Sequence, residues 1–278
     1  MNNEVIKENF SFLNKKQADL DNLKATLLSD LAKNCADLRE DITIDDVINI
    51  YKTVESKSSS DLAVYCKSLI ENVEIISQLF NDDVSDGDAD DHIQIAYLKN
   101  AFSDKAYRKF SELFPKASAA YYPGFREVCE EVYYGRCSHA ILPIYSTTEG
   151  HIATFRKLIT KYDLKIICAT DVLMSDESVM RYALLAKDLL YVNGLKNLDY
   201  LELSLVCDNT VKCGEFLSGT ECLGALVASA NSYPLEYSTD SNILWLEFNI
   251  SKADPIALCL YFECYQVRYT IIGAYKLI

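Results

Sequence analysis

Ile141-Leu142-Pro143-Ile144-Tyr145-Ser146-Thr147-Thr148-Glu149-Gly150 is the stretch from which the fold is read. Ala140 to Leu142 is a short apolar run, which predicts a buried strand. Pro143 has no amide hydrogen for a neighbouring strand, so the strand is expected to stop there. A polar turn follows, closed by Gly150. From His151 to Tyr162, Ile152, Phe155, Leu158 and Ile159 fall on one face of a helix. Strand, polar loop and helix in that order are how an open α/β sheet presents a ligand loop at the carboxyl end of a strand. Ser146, Thr147 and Thr148 beside a helix N-terminus would suit an anion. Hydroxyl side chains there also cap helices routinely, and on this loop alone capping is the preferred reading.

Composition bounds the rest. The chain has 278 residues, 50% of them hydrophobic and 24% charged, which is a globular balance with room for two or three small domains. No apolar run is long enough to span a bilayer, and Met1-Asn2-Asn3-Glu4 lacks the plan of a signal peptide, so a cytoplasmic protein without membrane partners is expected. The ten cysteines are scattered singly, with no Cys-x-x-Cys pair, and the histidines are His92, His139 and His151. That spacing fits no zinc site; no metal or cofactor is expected, and the thiols read as reduced core residues. A net charge of −14 argues against nucleic acid as a partner, because neutralising phosphates takes clustered lysine and arginine.

Residues 4 to 80 contain no proline or glycine. Leu13, Leu20, Leu23, Leu27, Leu28 and Leu31 recur at threes and fours, predicting one long amphipathic helix from about Glu4 to Asp37. Thr43 is placed to cap a second helix reaching Val54, and Ser58-Ser59-Ser60 to cap a third, Asp61 to Phe80. Residues 81–91 are an acidic linker. A calcium loop starting at Asp82 would put Val84 and Ile93 at ligand positions, so a solvated hinge is the better reading. Ile93 to Leu98 predicts the strand that opens the next domain, and Leu164 to Ala169 another. After Leu198 the pattern predicts strand Tyr200–Val206, helix Val211–Ser218, strands Leu223–Ser229 and Ile243–Ile250, helix Pro255–Gln266 and strand Tyr269–Leu277.

Several of these stretches resemble prephenate dehydratase. That family writes the opening loop as Pro-Ile-Glu-Asn-Ser-x-Glu-Gly; Pro143, Ile144, Glu149 and Gly150 match, Thr147 is a conservative replacement, and Tyr145-Ser146 replaces Glu-Asn. Its Ala-Tyr-Leu-Gly-Pro-x-Gly-Thr-Phe-Ser segment is similar to Ala96-Tyr97-Leu98-Lys99-Asn100-Ala101-Phe102-Ser103, with the glycine turn shortened. Its Thr-Arg-Phe segment is matched by Met180-Arg181-Tyr182. The three N-terminal helices resemble a chorismate mutase domain, and the βαββαβ order at the C-terminus with Ile271-Ile272-Gly273-Ala274-Tyr275 resembles an ACT domain. The resemblance implies an α+β multidomain chain: residues 1–80 helical and chorismate-mutase-like, 81–91 a linker, 92–194 a single prephenate-dehydratase-like α/β lobe of the periplasmic-binding-protein type, and 195–278 an ACT-like domain.

The departures shape the functional expectation. Only a few residues separate Asp171 from Met180, where the family has a second lobe. Methionine at 180 has no proton to give where the family's threonine assists the departing hydroxyl. The helical region holds one arginine, Arg39, and the mutase positions fall on Asn14, Val73 and Ser77, with Lys15, Lys16, Lys24 and Lys33 as the remaining cations. The expectation is a prephenate dehydratase/chorismate mutase relative without normal catalysis, forming dimers and acting as a binding or regulatory protein toward an aromatic or prephenate-like small molecule. Family-position remnants are Ser103, Thr147, Thr148 and Arg181, with Gly214 and Ser229 at the effector motifs. Two alternatives stand beside it: an active dehydratase or mutase whose site is completed by a dimer partner, and an aromatic amino-acid sensor working through the ACT-like part.

Overall fold

The computed structural model of the chain describes residues 3–36, 43–54, 58–72, 93–189, 198–207, 213–234 and 242–278. The acidic linker, Arg39, Val73, Ser77 and His92 lie outside the described residues. The chain is a mixed α/β protein with N-terminal helices and a sheet domain, and it divides into two compact units.

The first unit holds helices α1 (Asn3–Ala36), α2 (Ile44–Lys52), α3 (Ser59–Asn72), α7 (Cys213–Cys222) and α8 (Pro255–Tyr265). Thr43 caps α2 as expected, in a capping box with Asp46 whose side chain and backbone satisfy each other. Asp254 caps α8 through its side chain, with Pro255 in the first turn. Helix α3 is the middle element, touching α1, α7 and α8, and Tyr65, Cys66 and Leu69 are wholly buried on it. The six leucines of α1 do not all reach a core. Leu28 is buried, whereas Leu13, Leu20, Leu23 and Leu27 are each more than half exposed.

The second unit is built on one ten-stranded sheet of order β2-β1-β3-β6-β5-β10-β7-β9-β8, with β4 paired to β3 off that path. The strands are β1 (Gln94–Leu98), β2 (Ser118–Tyr122), β3 (His139–Ser146), β4 (Gly150–His151), β5 (Lys165–Leu173), β6 (Val179–Ala186), β7 (Tyr200–Cys207), β8 (Leu226–Pro234), β9 (Asn242–Asn249) and β10 (Tyr269–Leu277). β1 lies parallel to both β2 and β3. Helix α4 (Ala101–Leu113) crosses from β1 to β2, and α5 (Phe125–Tyr133) from β2 to β3. Strand alternation splits the core. Ile95, Tyr97 and Ile141 meet Ala106 and Phe110 of α4 on one face. Ala96, Ala140, Leu142 and Ile144 meet Val128, Cys129 and Val132 of α5, and Ile159 of α6 (Ala153–Lys161), on the other.

Pro143 does not end its strand. β3 runs on to Ser146, and its pairing with β6 shifts register between Pro143 and Tyr145. Pro143 stays in register opposite Tyr182, the extra residue of the bulge is Ile144, and the ladder resumes at Tyr145. The helix expected from His151 begins at Ala153, because Gly150 and His151 first turn back along β3 as β4. Between β5 and β6 there is a tight hairpin, its turn closed by Met174 N–H donating to Ser178 O; no lobe is inserted there.

β10 is the strand that joins the two halves of the sheet, parallel to β5 and antiparallel to β7. At Gly273 the fit leaves no room for a side chain: a Cβ would lie 2.5 Å from Ile166 Cβ and 2.9 Å from Ile166 O. Gly273→Ala therefore forces β10 away from β5. It is expected to destabilise the fold by about 1–3 kcal/mol, the usual range for overpacking. Urea unfolding reads this directly, and an unchanged midpoint would show that the strand pair is not as close as described.

Candidate functional site

In a sheet of order 2-1-3, ligands bind outside the carboxyl ends of β1 and β3, where successive crossovers leave in opposite directions. Here that edge carries the start of α4 and the turn after β3. Asn100 caps α4, its side-chain oxygen accepting from Phe102 N at 3.0 Å and Ser103 N at 2.8 Å. These amides are consequently occupied by the cap. Ser103 is fully buried, and its hydroxyl makes no hydrogen bond of ordinary geometry. The polar group it faces is the Tyr182 phenol, whose pKa burial raises and the serine partly restores.

The hydroxyls of the β3 turn are occupied as well. Thr147 N donates to Val179 O, and Thr147 Oγ1 accepts from Val179 N, both at 3.0 Å. Ser146 Oγ and Thr148 Oγ1 share a hydrogen bond of 2.7 Å, and Thr148 N donates to Ser146 Oγ. Gly150 adopts φ +72°, the left-handed conformation that lets this turn double back. The turn thus closes a hairpin. Helix α6 starts beyond it with Ile152 in the cap position and no side-chain cap, so Thr147 and Thr148 do not cap that helix.

Arg181 sits across from Tyr145 on one side and Asp171 on the other, while Met180 sits across from Ser146. Its guanidinium donates twice to Asp171, Nε to Oδ1 at 2.8 Å and Nη2 to Oδ2 at 3.2 Å. It also lies over the rings of Tyr145 and Tyr200, at 5.6 and 5.3 Å from their centres. Burial works against its charge, but the Asp171 hydrogen bonds and attraction outweigh that and its pKa is raised. Asp176 and Glu177, the partners closer in sequence, are not used; Asp176 instead accepts from Ser178. Arg181 and Tyr182 are consecutive on a strand and point to opposite faces. The structure accordingly groups Arg181 with Tyr145 and the Thr147 turn, and places Ser103 with Tyr182 on the far side of the sheet.

The largest concentration of buried charge lies elsewhere. Arg156 on α6, 3% exposed, pairs with Glu202 on β7, 0% exposed. It also donates to His151 Nδ1. A guanidinium has no acceptor, so His151 carries its ring proton on Nε2, which faces Glu247 Oε2 of β9 at 3.2 Å. Tyr275 of β10 donates to Glu247 Oε1 at 2.5 Å, and Trp245 lies beneath the Arg156 guanidinium. Burial pushes Glu202 up to about 7 despite Arg156, and the Glu247 charge adds to the push. Glu247 is held below the usual carboxylate range: burial opposes this, but the hydrogen bonds from His151 and Tyr275 prevail. Arg156 Nε and Glu202 Oε2 have no hydrogen-bond partner.

Sequence reasoning missed this cluster. Glu202 and Glu247 alternate with leucines and phenylalanine along their strands, a pattern that ordinarily marks a solvated face. A chain-long excess of acid also hid two glutamates that are buried.

Of the effector-motif residues, Gly214 is exposed in the first turn of α7, with open space where a Cβ would stand. Ser229 is half-buried on β8 and accepts from Asn231. A cavity of about 630 Å³ lies at the amino ends of β1 and β2, lined by Gln94, Ser118, Arg136, Cys137 and Lys187 among others. That is the wrong end of the sheet for a ligand of this topology, and Arg136 is already clamped on Glu131. Among the described residues no cluster of three or more potential metal ligands occurs, and no helix is long and apolar enough to cross a membrane.

Because Glu202 titrates near 7 when folded and near 4.5 when exposed, the native state binds the extra proton between those values. Its contribution to stability is present below about 4.5 and is lost as pH rises through 7. Urea unfolding from pH 5 to 7.5 is expected to show that decline, and Glu202→Gln to flatten it. Equal slopes in the two proteins would show that Glu202 keeps its charge throughout.

The sequence profile of the prephenate dehydratase family matches residues 95–175, from β1 into the turn after β5. No curated protein matches the chain. Among solved structures, prephenate dehydratase from Streptococcus mutans aligns at a TM-score of 0.55 and 17% identity, over 66% of this chain and 98% of that one. A structure described as GqqA, a novel type of quorum quenching acylase, aligns at a TM-score of 0.51 and 19% identity, over 68% and 96%. At these identities the likeness is one of fold. Residues 95–175 are therefore similar in sequence to prephenate dehydratase, and the chain shares a fold with that enzyme.

Proposed function

We propose that this chain is a prephenate dehydratase-like protein of the aromatic amino-acid family that has lost normal catalysis and acts by binding. The observation that carries this is the state of Arg181. It is the cation at the family's Thr-Arg-Phe position, and it is spent on a two-point bond to Asp171 between two tyrosine rings. Its neighbour Met180 faces Ser146 with a thioether where an acid would be needed. The tight hairpin between β5 and β6 supports the reading too, since the resemblance expects a second lobe there. Fold alone does not choose a chemistry, because an acylase shares it.

Among the described residues, the lysines that the mutase resemblance leaves as cations are exposed or paired. Lys15 and Lys16 are exposed on α1, Lys24 pairs with Asp61, and Lys33 lies beside Asp30. The exposed leucines of α1 instead support the helical part as a dimerisation element. Purified protein given prephenate or chorismate is expected to show no turnover above the buffer reaction. Measurable turnover that falls in Arg181→Ala would replace this reading with that of a working enzyme.

A second reading has its own support. The C-terminal elements follow one another as βαββαβ, and their strands lie in the order β10-β7-β9-β8, the arrangement of an ACT-like module. As a sensor, this part, whose Gly214 and Ser229 stand at the effector motifs of the resemblance, would bind phenylalanine or tyrosine. It is expected to raise the melting temperature in their presence, and Gly214→Val and Ser229→Val to remove the shift. A melting curve indifferent to both amino acids would end the sensor reading.

A further inference from the structure

We propose that Cys207 and Cys213 are a dithiol that closes reversibly to an intrachain disulfide, a modification site independent of the functional reading above. Cys207 is the last residue of β7 and Cys213 the first of α7. Their sulfurs are 2.9 Å apart, closer than two non-bonded sulfurs ordinarily approach, and both side chains are partly exposed. The other described cysteines differ in one respect or the other. Cys66, Cys129, Cys137, Cys168 and Cys264 are buried. Burial pushes the Cys129 and Cys168 thiols up to about 12 and Cys259 up to about 11, which leaves little thiolate to react. Cys66 has Cys264 as a neighbour, but burial and that neighbour raise its pKa well above the ordinary value. Cys222 is exposed, but among the described residues no hydrogen bond joins it to a second cysteine.

The reaction is an exchange with a small disulfide such as oxidised glutathione. The thiolate of one cysteine attacks a glutathione sulfur, forming a mixed disulfide and releasing one glutathione thiolate. The second cysteine's thiolate then attacks the protein sulfur of that mixed disulfide and releases the second. Two protein S–H bonds are lost and one S–S bond forms. Two electrons pass to the oxidant, and two protons are taken up by the two glutathiones. With the second sulfur already in contact, the second step is intramolecular and outruns glutathione capture at a lone thiol.

The test uses the full-length purified chain in glutathione buffers of rising oxidised fraction, quenched with N-ethylmaleimide and mapped by peptide mass spectrometry. The expected result is simultaneous loss of the Cys207 and Cys213 alkylation products. A dithiothreitol-sensitive cross-linked peptide should join the two, before Cys222 acquires glutathione. Cys213→Ser should abolish the cross-link and leave Cys207 carrying glutathione instead. The proposal fails if Cys207 and Cys213 stay fully alkylated, or each carry glutathione separately, in buffers where Cys222 is already modified. The wild-type map decides this even if a serine variant does not fold.

Discussion

A guanidinium taken out of water must be met by acceptors, and the sheet unit is arranged around meeting that need at Arg156. Glu202, His151, Glu247 and Tyr275 come from four different strands, and with α6 they form one hydrogen-bonded chain. Removing Arg156 or Glu202 takes away one half of a buried ion pair, which costs far more than a surface contact is worth. The cluster links the hairpin after β3 to strands β7, β9 and β10. Those four strand positions are therefore specified relative to one another by charge as well as by packing.

The same logic applies to Arg181. This side chain is also partly buried, and it too has been given a carboxylate, Asp171, on the neighbouring strand. A cation already paired in two-point geometry offers little to an incoming carboxylate unless Asp171 is displaced. The hydroxyls of Ser146, Thr147 and Thr148 are likewise committed to the turn that they build. Arg181 and Thr147 thus bond within the chain, whereas among the described residues the buried Ser103 hydroxyl makes no hydrogen bond of ordinary geometry.

The likeness to prephenate dehydratase covers the sheet edge where ligands bind in this topology, yet stops short of Arg181. Two solved proteins with this fold have names implying different chemistries. The scaffold by itself does not choose between the reactions it can carry.

Most elements were legible from periodicity and capping. Thr43, Pro255 and the β10 run Tyr269–Leu277 stand where local pattern placed them, because caps and strand alternation depend on near neighbours. Three things were decided only by the tertiary structure. Pro143 continues its strand, in register opposite Tyr182 of β6 with a bulge following at Ile144, because the pairing strands and not the local sequence decide where the ladder stops. Leu13, Leu20, Leu23 and Leu27 recur as a core stripe would, yet stay exposed, because periodicity says which residues share a face and not what covers it. Arg181 takes Asp171 instead of the nearer Asp176, and Arg156 takes Glu202 from 46 residues away. The sequence by itself determined the local order of helices and strands; which charges are buried together was settled by strand pairing, a long-range property that no local pattern encodes.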